Sequence, residues 1–276
     1  MKEAAGMRRG WTDASGAQIH YAVQGTGRAP LVLVHELGGS LDSWDALAAL
    51  LEAPFRVIRF DQRGHGQSEK LRDPASLQAH VADLAAVLDA VDCAGPAWLV
   101  GAAAGAAIAV QFAVQSPQQV HGLVLCAPAL VSRADQKDYL LERSDLAERE
   151  GMRAIVDSSL ERSYPRVMVG DGEAFDRYRS RMLANDPHCY ANANRVIAGL
   201  NLSASLAAMA APTLLIGGQH DAVRPKDHVR EVSGLFRCAE YAEIDSGHLM
   251  GFYSPGLVAR EIRGFVDRHA GTVPSG

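Results

Sequence analysis

The sequence lacks the features that mark several common classes of protein. Its four cysteines are scattered over 276 residues without a Cys-x-x-Cys pair, so no disulfide framework is indicated. Charges of both signs are interspersed and the net charge is −5 at pH 7, which points to neither a nucleic-acid nor a membrane partner. The histidines and cysteines lack metal-ligand spacing, and the first βα turn lacks a dinucleotide fingerprint. We therefore expect no metal and no cofactor.

Long hydrophobic stretches are also scarce. Residues 1–10 contain charges but no apolar segment like that of a signal peptide, so we expect a cytoplasmic protein with reduced cysteines. Residues 97–114 are apolar apart from Gln111, yet they are rich in Ala and Gly and lack flanking basic anchors. A buried strand followed by a closely packed helix explains this segment better than a membrane span does.

Strand-like and helix-like patterns alternate along most of the chain. Residues 8–13 and 18–23 alternate in polarity around Ala14-Ser15-Gly16, which predicts an antiparallel hairpin. Six further strands, several of them continuously apolar as in a parallel sheet, are predicted at residues 31–34, 56–60, 98–100, 122–126, 212–217 and 239–244. Helices are predicted at residues 43–51, 76–91, 226–235 and 255–269, and up to residue 115 after the third of these strands. This alternation predicts an α/β protein with a mostly parallel, doubly wound, eight-stranded sheet.

The pattern changes after the sixth predicted strand. Strand-like runs vanish between residues 130 and 203, and amphipathic stretches predict helices at 134–149, 152–162, 173–185 and 190–200. We interpret residues 130–203 as a helical cap. Residues 1–129 and 204–276 then form the α/β core.

The segment around Ala103 has the pattern of a nucleophile elbow. A buried strand, the turn Gly101-Ala102-Ala103-Ala104-Gly105 and a helix follow one another. Glycine is expected at both ends because the turn brings strand and helix so close that a Cβ would clash. The central residue of such a turn is a serine, cysteine or aspartate, whereas here it is Ala103, whose methyl group cannot attack a substrate.

Two loops at later strand ends supply the partners of a nucleophile. Asp221 follows the seventh predicted strand, and His248 follows the eighth. Nucleophile, acid and histidine in this chain order match a Ser-Asp-His triad, with His248 as base and Asp221 as the residue that orients it. The alternative acid position after the sixth strand, Ala127-Pro128-Ala129, is empty. The backbone amides of Leu37 and Ala104 are the predicted oxyanion hole.

These motifs together resemble the α/β-hydrolase superfamily over the whole chain. The stretch from Tyr190-Ala191-Asn192-Ala193 to Asn201-Leu202 is most similar to 3-oxoadipate enol-lactonases and related hydrolases of aromatic catabolism. The resemblance implies an α/β-hydrolase fold and the hydrolysis of a small ester, lactone or related carbonyl substrate. The motifs that carry it are residues 35–40, 61–68, 101–105, 212–221 and 247–248.

The sequence gives fewer signals for the substrate. Glu36 stands where the superfamily usually has glycine, which leaves two interpretations: a structural variant of the loop, or a carboxylate near the mouth of the pocket. Trp44 is expected to take part in helix packing, and contact with the substrate is the alternative. Arg133, Arg162 and Arg166 of the cap are ordinary solvated arginines unless the small-molecule substrate carries a carboxylate. In that case one of them is expected to pair with it, and Arg133 is the choice because it lies just past a strand end. A monomer and a homodimer both stay open.

Three interpretations of Ala103 compete. In the first, a serine hydrolase has had its nucleophile replaced, by design or by loss. In the second, the alanine is native and the His248–Asp221 dyad acts alone as a general base, similar to cofactor-independent dioxygenases or lyases on this fold. In the third, the protein is a non-catalytic binder, but a binder has no need of a paired histidine and aspartate.

Overall fold

The computed structural model describes residues 6–93, 95–132, 134–168 and 172–270. Within these ranges the chain forms one sheet of eight strands, in the order β1-β2-β4-β3-β5-β6-β7-β8. The strands are β1 (Arg8–Asp13), β2 (Gln18–Gln24), β3 (Ala29–Val34), β4 (Phe55–Phe60), β5 (Ala97–Ala102), β6 (Val120–Cys126), β7 (Thr213–Gly218) and β8 (Ala239–Ile244). Strand β2 pairs antiparallel with β1 and with β4, and all other pairs are parallel. The predicted fold class is confirmed.

Helices follow most strands and cover both faces of the sheet. Alternate residues of β3 enter different hydrophobic clusters: Leu31 and Leu33 join one, and Val32 and Val34 join the other. All four side chains are fully buried, as expected for a central parallel strand. The helices are α1 (Asp45–Leu51), α2 (Leu77–Ala90), α3 (Ala104–Gln115), α4 (Ala134–Glu150), α5 (Val156–Ser163), α6 (Glu173–Leu183), α7 (Pro187–Ala198), α8 (Ser203–Ala208), α9 (Lys226–Ser233), α10 (Met250–Tyr253) and α11 (Pro255–His269).

Helices α4 to α8 lie between β6 and β7 in the chain. A third hydrophobic cluster, separate from the two on the sheet, joins residues of α4 to α7 and includes Leu160, Tyr178 and Tyr190. Helix α7 begins three residues before the predicted start, because Asp186 accepts a hydrogen bond from the amide of Cys189 and Pro187 opens the helix. The boundaries proposed for a cap, residues 130 and 203, stay a prediction.

The Ala-rich segment at residues 97–114 divides into strand β5 and helix α3. In the described part of the chain, no helix has the length and apolar character needed to cross a membrane.

Candidate active site

The turn between β5 and α3 holds Ala103 in a backbone conformation that L-residues rarely adopt. Its φ is 45° and its ψ is −108°. Two backbone hydrogen bonds of 3.0 Å fix it: its amide donates to the carbonyl of Cys126, and its carbonyl accepts from the amide of Ala129. Such a conformation costs on the order of 1–3 kcal/mol and persists only where the surroundings impose it.

The two glycines of this turn are required by close backbone packing. A Cβ at Gly101 would lie 2.6 Å from Cα of Ala106, and a Cβ at Gly105 would overlap the carbonyl oxygen of Val34 at the end of β3. Both approaches involve backbone atoms, which cannot rotate away. The sequence-based explanation of these glycines therefore agrees with the geometry. The turn has the strand, tight backbone approach and helix that the sequence predicted, with Ala103 at its centre.

His248 and Asp221 form a hydrogen-bonded pair beside this turn. Nδ1 of His248 lies 2.9 Å from Oδ2 of Asp221, and both side chains are almost fully buried. The other oxygen of Asp221 accepts hydrogen bonds from the amides of Val223, at 2.8 Å, and Arg224, at 2.7 Å. Because the carboxylate accepts, the proton lies on Nδ1, and Nε2 has no hydrogen-bond partner among the described residues. The pair can therefore accept a proton at Nε2.

A cavity of about 810 Å³, its opening included, lies between the elbow and helices α4 to α7. Ala103 and His248 line it, together with Leu37 and Ala104, the two residues predicted to supply oxyanion-hole amides. The turn at Ala103, His248 and the predicted oxyanion-hole residues therefore share one cavity. Its wall also includes Glu36, Gln136, Tyr139, Leu140, Arg143, Ser159, Arg162, Tyr178, Met182, Tyr190, Asn194 and Arg224.

The loop after β3 is fixed by hydrogen bonds to His35. Nδ1 of His35 donates to the carbonyl of Glu36 at 2.7 Å, and Nε2 accepts from the amide of Gln62 at 2.9 Å. Both ring nitrogens are thus committed, and the ring is neutral. His35 orients this loop and has no ring nitrogen left for catalysis.

Glu36 is buried in the cavity wall and is only 7% exposed. Its Oε1 accepts hydrogen bonds from the hydroxyls of Ser43, at 2.9 Å, and Tyr178, at 2.7 Å. Gly39 makes this position possible, because a Cβ there would overlap Oε1. The other oxygen, Oε2, has no hydrogen-bond partner among the described residues.

Tyr178 acts as a hydrogen-bond donor to Glu36. Burial, followed by the nearby Glu36 carboxylate, raises the pKa of Tyr178 well above its usual value of 10. The hydroxyl therefore stays protonated and donates. A second bond from the same part of the chain runs from Nδ2 of Asn185 to the carbonyl of Gly38, at 2.9 Å. Helix α6 and the residues after it thus hold the loop that carries Leu37.

The other two residues considered for contact with the substrate are Trp44 and Arg133. Trp44 is 1% exposed and belongs to the core cluster beneath α1 and α11. A Cβ on Gly251 would overlap its ring, and Trp44 lines a small separate cavity behind His248, not the large one. Arg133 lies outside the described residues, so its pairing with a carboxylate stays a prediction.

Several wall residues escaped the sequence analysis. Successive turns of α4 place Gln136, Tyr139, Leu140 and Arg143 on one face of the helix. This spacing predicts that the four side chains share an environment, but it does not show whether that environment is solvent, core or cavity. Tyr178 and Tyr190 come from two other helices, and no local pattern reveals that they converge with α4. Across the described ranges, no group of three His, Cys, Asp or Glu side chains could hold a metal ion.

Known proteins resemble this chain over most of its length. Among curated proteins, 3-oxoadipate enol-lactonase 1 of Acinetobacter baylyi is 25% identical over 257 residues, covering 92% of this chain and 95% of that protein. The enol-lactonase of Burkholderia xenovorans superimposes with a TM-score of 0.88 at 25% identity, covering 94% of this chain and 100% of that one. A thermophilic esterase of Thermogutta terrifontis gives a TM-score of 0.87 at 26% identity, covering 95% and 99%.

A family model described as "alpha/beta hydrolase fold" matches residues 29–255. This range runs from β3 to the start of α11 and includes the elbow, Asp221 and His248. The chain belongs to the α/β-hydrolase fold family.

Proposed function

We propose that this site hydrolyses a small ester or lactone, and that Ala103 occupies the position of its nucleophile. The observation that carries the proposal is the strained turn at Ala103, which faces the same cavity as the His248–Asp221 pair. A strained backbone of this kind exposes a nucleophile in hydrolases with this motif. The relatives named as enol-lactonase and esterase support the same class of substrate.

The mechanism follows from the positions of these groups. With a serine at position 103, Nε2 of His248 takes the hydroxyl proton while the oxygen attacks the substrate carbonyl, and Asp221 stabilises the resulting imidazolium. The amides of Leu37 and Ala104 bind the oxyanion. A methyl group has no lone pair, so the present chain forms no acyl-enzyme. It retains the oxyanion donors and a base, and that base can activate water.

The direct test is the Ala103→Ser variant. We expect it to react with a fluorophosphonate probe and to hydrolyse activated esters or lactones at least about 10³-fold faster than the present chain. The double variant Ala103→Ser/His248→Gln should lose this gain, because the serine then has no base. Ala103→Gly is the matched control, since glycine adopts the same turn without a nucleophile.

The proposal fails if folded Ala103→Ser protein remains unlabelled and inactive across the whole panel. Circular dichroism and the thermal melting temperature establish that the variant is folded. Equal gains in the Ala103→Ser and Ala103→Gly variants would also contradict it, because the serine oxygen would then have no role.

Glu36 favours a second candidate function, in which the His248–Asp221 dyad acts without any nucleophile. A carboxylate next to Leu37 opposes the build-up of negative charge on an oxyanion there. Proton abstraction from a substrate carbon, or from a water, requires only Nε2 of His248. This function predicts that the present chain already turns over its substrate and that His248→Ala abolishes the reaction.

A further inference from the structure

Glu36 is a buried carboxylate whose position is fixed by its neighbours. Its Oε1 accepts a hydrogen bond from the hydroxyl of Ser43 at 2.9 Å and from that of Tyr178 at 2.7 Å. Its backbone carbonyl accepts hydrogen bonds from Nδ1 of His35 at 2.7 Å and from the amide of Gly39 at 3.1 Å. Both ends of the residue are therefore held, and the carboxylate is a fixed part of the cavity wall.

The two hydroxyls that bind Oε1 of Glu36 are not available to Oε2. A hydroxyl carries a single proton, and both protons are given to Oε1. The hydroxyl of Ser43 is fixed further, because its oxygen accepts from the amide of Ser40 at 3.2 Å. Oε2 thus has no donor among the described residues, although Glu36 is only 7% exposed. Because Glu36 lines the cavity beside Ala103, Oε2 is the acceptor that this residue offers to a ligand there.

This carboxylate lies beside the predicted oxyanion hole. Glu36 precedes Leu37, whose amide is expected to bind the developing oxyanion, and both residues line the cavity. The charge of the carboxylate opposes a second negative charge on that oxyanion. A hydrogen-bond donor on the substrate that binds Oε2 withdraws part of this charge and so reduces the opposition. Because neighbouring residues are only about 3.8 Å apart at Cα, we expect the donor on the first or second carbon from the carbonyl.

The other charges of the cavity wall favour a neutral donor over a cationic one. Among the described residues, Arg143, Arg162 and Arg224 line the same cavity as this carboxylate. An ammonium group bound at Oε2 of Glu36 would add a positive charge to a wall whose described residues already carry more positive than negative charges. A hydroxyl adds no charge, and a hydrogen bond that it donates to a carboxylate is stronger than one that it donates to a neutral oxygen.

We propose that Oε2 of Glu36 binds a hydroxyl of the substrate and thereby determines specificity. The inference rests on the proposed function, because the ester or lactone carbonyl of the same molecule binds at Leu37. The substrate class is thus a small ester or lactone with a hydroxyl on the first or second carbon from its carbonyl. A substrate without this hydroxyl leaves Oε2 desolvated and unpaired, and a site built to bind a hydroxyl rejects such an analogue strongly.

The experiment compares esters that differ at a single position. Methyl 2-hydroxyhexanoate and methyl 3-hydroxyhexanoate are each compared with the matching methoxy ester, whose ether oxygen cannot donate, and with methyl hexanoate. Their dissociation constants for the present chain, whose Ala103 prevents acylation, are measured by ligand-observed NMR. We expect at least one hydroxy ester to bind at least about tenfold more tightly than its methoxy counterpart and than methyl hexanoate.

The Glu36→Gln variant tests whether this preference comes from the carboxylate. Oxygen is still needed where Ser43 and Tyr178 donate, so the amide nitrogen of the glutamine takes the place of Oε2. That nitrogen donates to hydroxy and methoxy oxygens alike, and the preference should fall below about twofold. Glu148→Gln is the matched control, because Glu148 pairs with Arg195 at 2.6 Å outside the cavity. It should keep the full preference.

Three results would overturn this role of Glu36: equal binding of the hydroxy, methoxy and unsubstituted esters, no binding of either hydroxy ester, or a preference that survives in Glu36→Gln. The ligand comparison uses the unaltered chain and does not depend on the folding of a variant. The outcome is also separate from turnover. A hydroxyl preference that depends on Glu36 supports the proposal even if Ala103→Ser is inactive, whereas an active serine variant without this preference rejects the role of Glu36 alone.

Discussion

Two loops end at the candidate site, and they are held in place in different ways. The elbow at residues 101–105 is fixed by backbone contacts, with Gly101 against α3 and Gly105 against β3. The loop at residues 35–40 is fixed by side chains, including His35 within it and Tyr178 from α6. The elbow therefore keeps its shape when its central side chain changes, whereas the other loop depends on distant residues and on their protonation.

The largest effect is expected where the elbow contacts backbone. Gly105→Ala should lower the free energy of unfolding by at least about 3 kcal/mol, because the added Cβ meets carbonyl oxygens that cannot move independently. Urea denaturation measures the change. Gly256→Ala is the control, since nothing lies within 4 Å of a Cβ there, and it should leave stability unchanged or slightly higher. Similar losses for both variants would contradict the steric explanation of the elbow.

A smaller effect is expected from acid, which acts on two buried histidines, His65 and His80. Burial lowers the pKa of His65 and of His80 from 6.5 to about 3, and the ring of His65 lies 5.4 Å from that of His35. The unfolded chain takes up protons below pH 6.5 while the folded protein does not, so stability falls as the pH falls. Between pH 6.5 and 5.5 the two histidines together should remove about 2 kcal/mol of unfolding free energy.

Urea denaturation at a series of pH values measures this loss. His80→Leu should halve it, because one of the two titrating rings is gone and its buried site accepts an apolar side chain. The prediction is wrong if stability is constant over this range, since the buried rings would then be protonated in the folded protein as readily as in the unfolded chain.

The smallest effect is expected at the contact between α6 and the loop. Tyr178→Phe removes the hydroxyl that donates to Glu36 and should lower the free energy of unfolding by about 1 kcal/mol. Tyr190→Phe is the matched control, because its ring is equally buried and its hydroxyl has no hydrogen-bond partner among the described residues. Equal changes in the two variants would mean that the bond to Glu36 contributes nothing specific.

The parts of the site that are encoded locally could be predicted from the sequence. Glycine spacing identified the elbow, because only glycine fits a backbone approach as close as that of Gly105 to β3. Chain order identified Asp221 and His248, and their side chains lie in hydrogen-bond contact. The catalytic roles of these residues stay predictions.

Other parts depend on how helices pack, which local patterns do not encode. Trp44 precedes an amphipathic helix, and its sequence neighbours do not indicate whether its ring faces the core or a ligand; the ring lies in the core. Arg143 and Arg162 belong to different helices and line one cavity only because α4 and α5 meet there. For the same reason the sequence predicts the candidate reacting groups, but it does not predict which side chains line the cavity that would bind a substrate.

The conformation of Ala103 has a consequence for how activity can be gained or lost at this site. Neighbouring backbone imposes its φ and ψ angles. The methyl side chain of Ala103 gains nothing from this strained conformation. The position is therefore preorganised: a side chain introduced there enters a turn that is already in its reactive shape, with no reorganisation energy left to supply. Under the proposed function, one side chain switches catalysis at this turn on or off, while the free energy that shapes the turn remains stored in the fold.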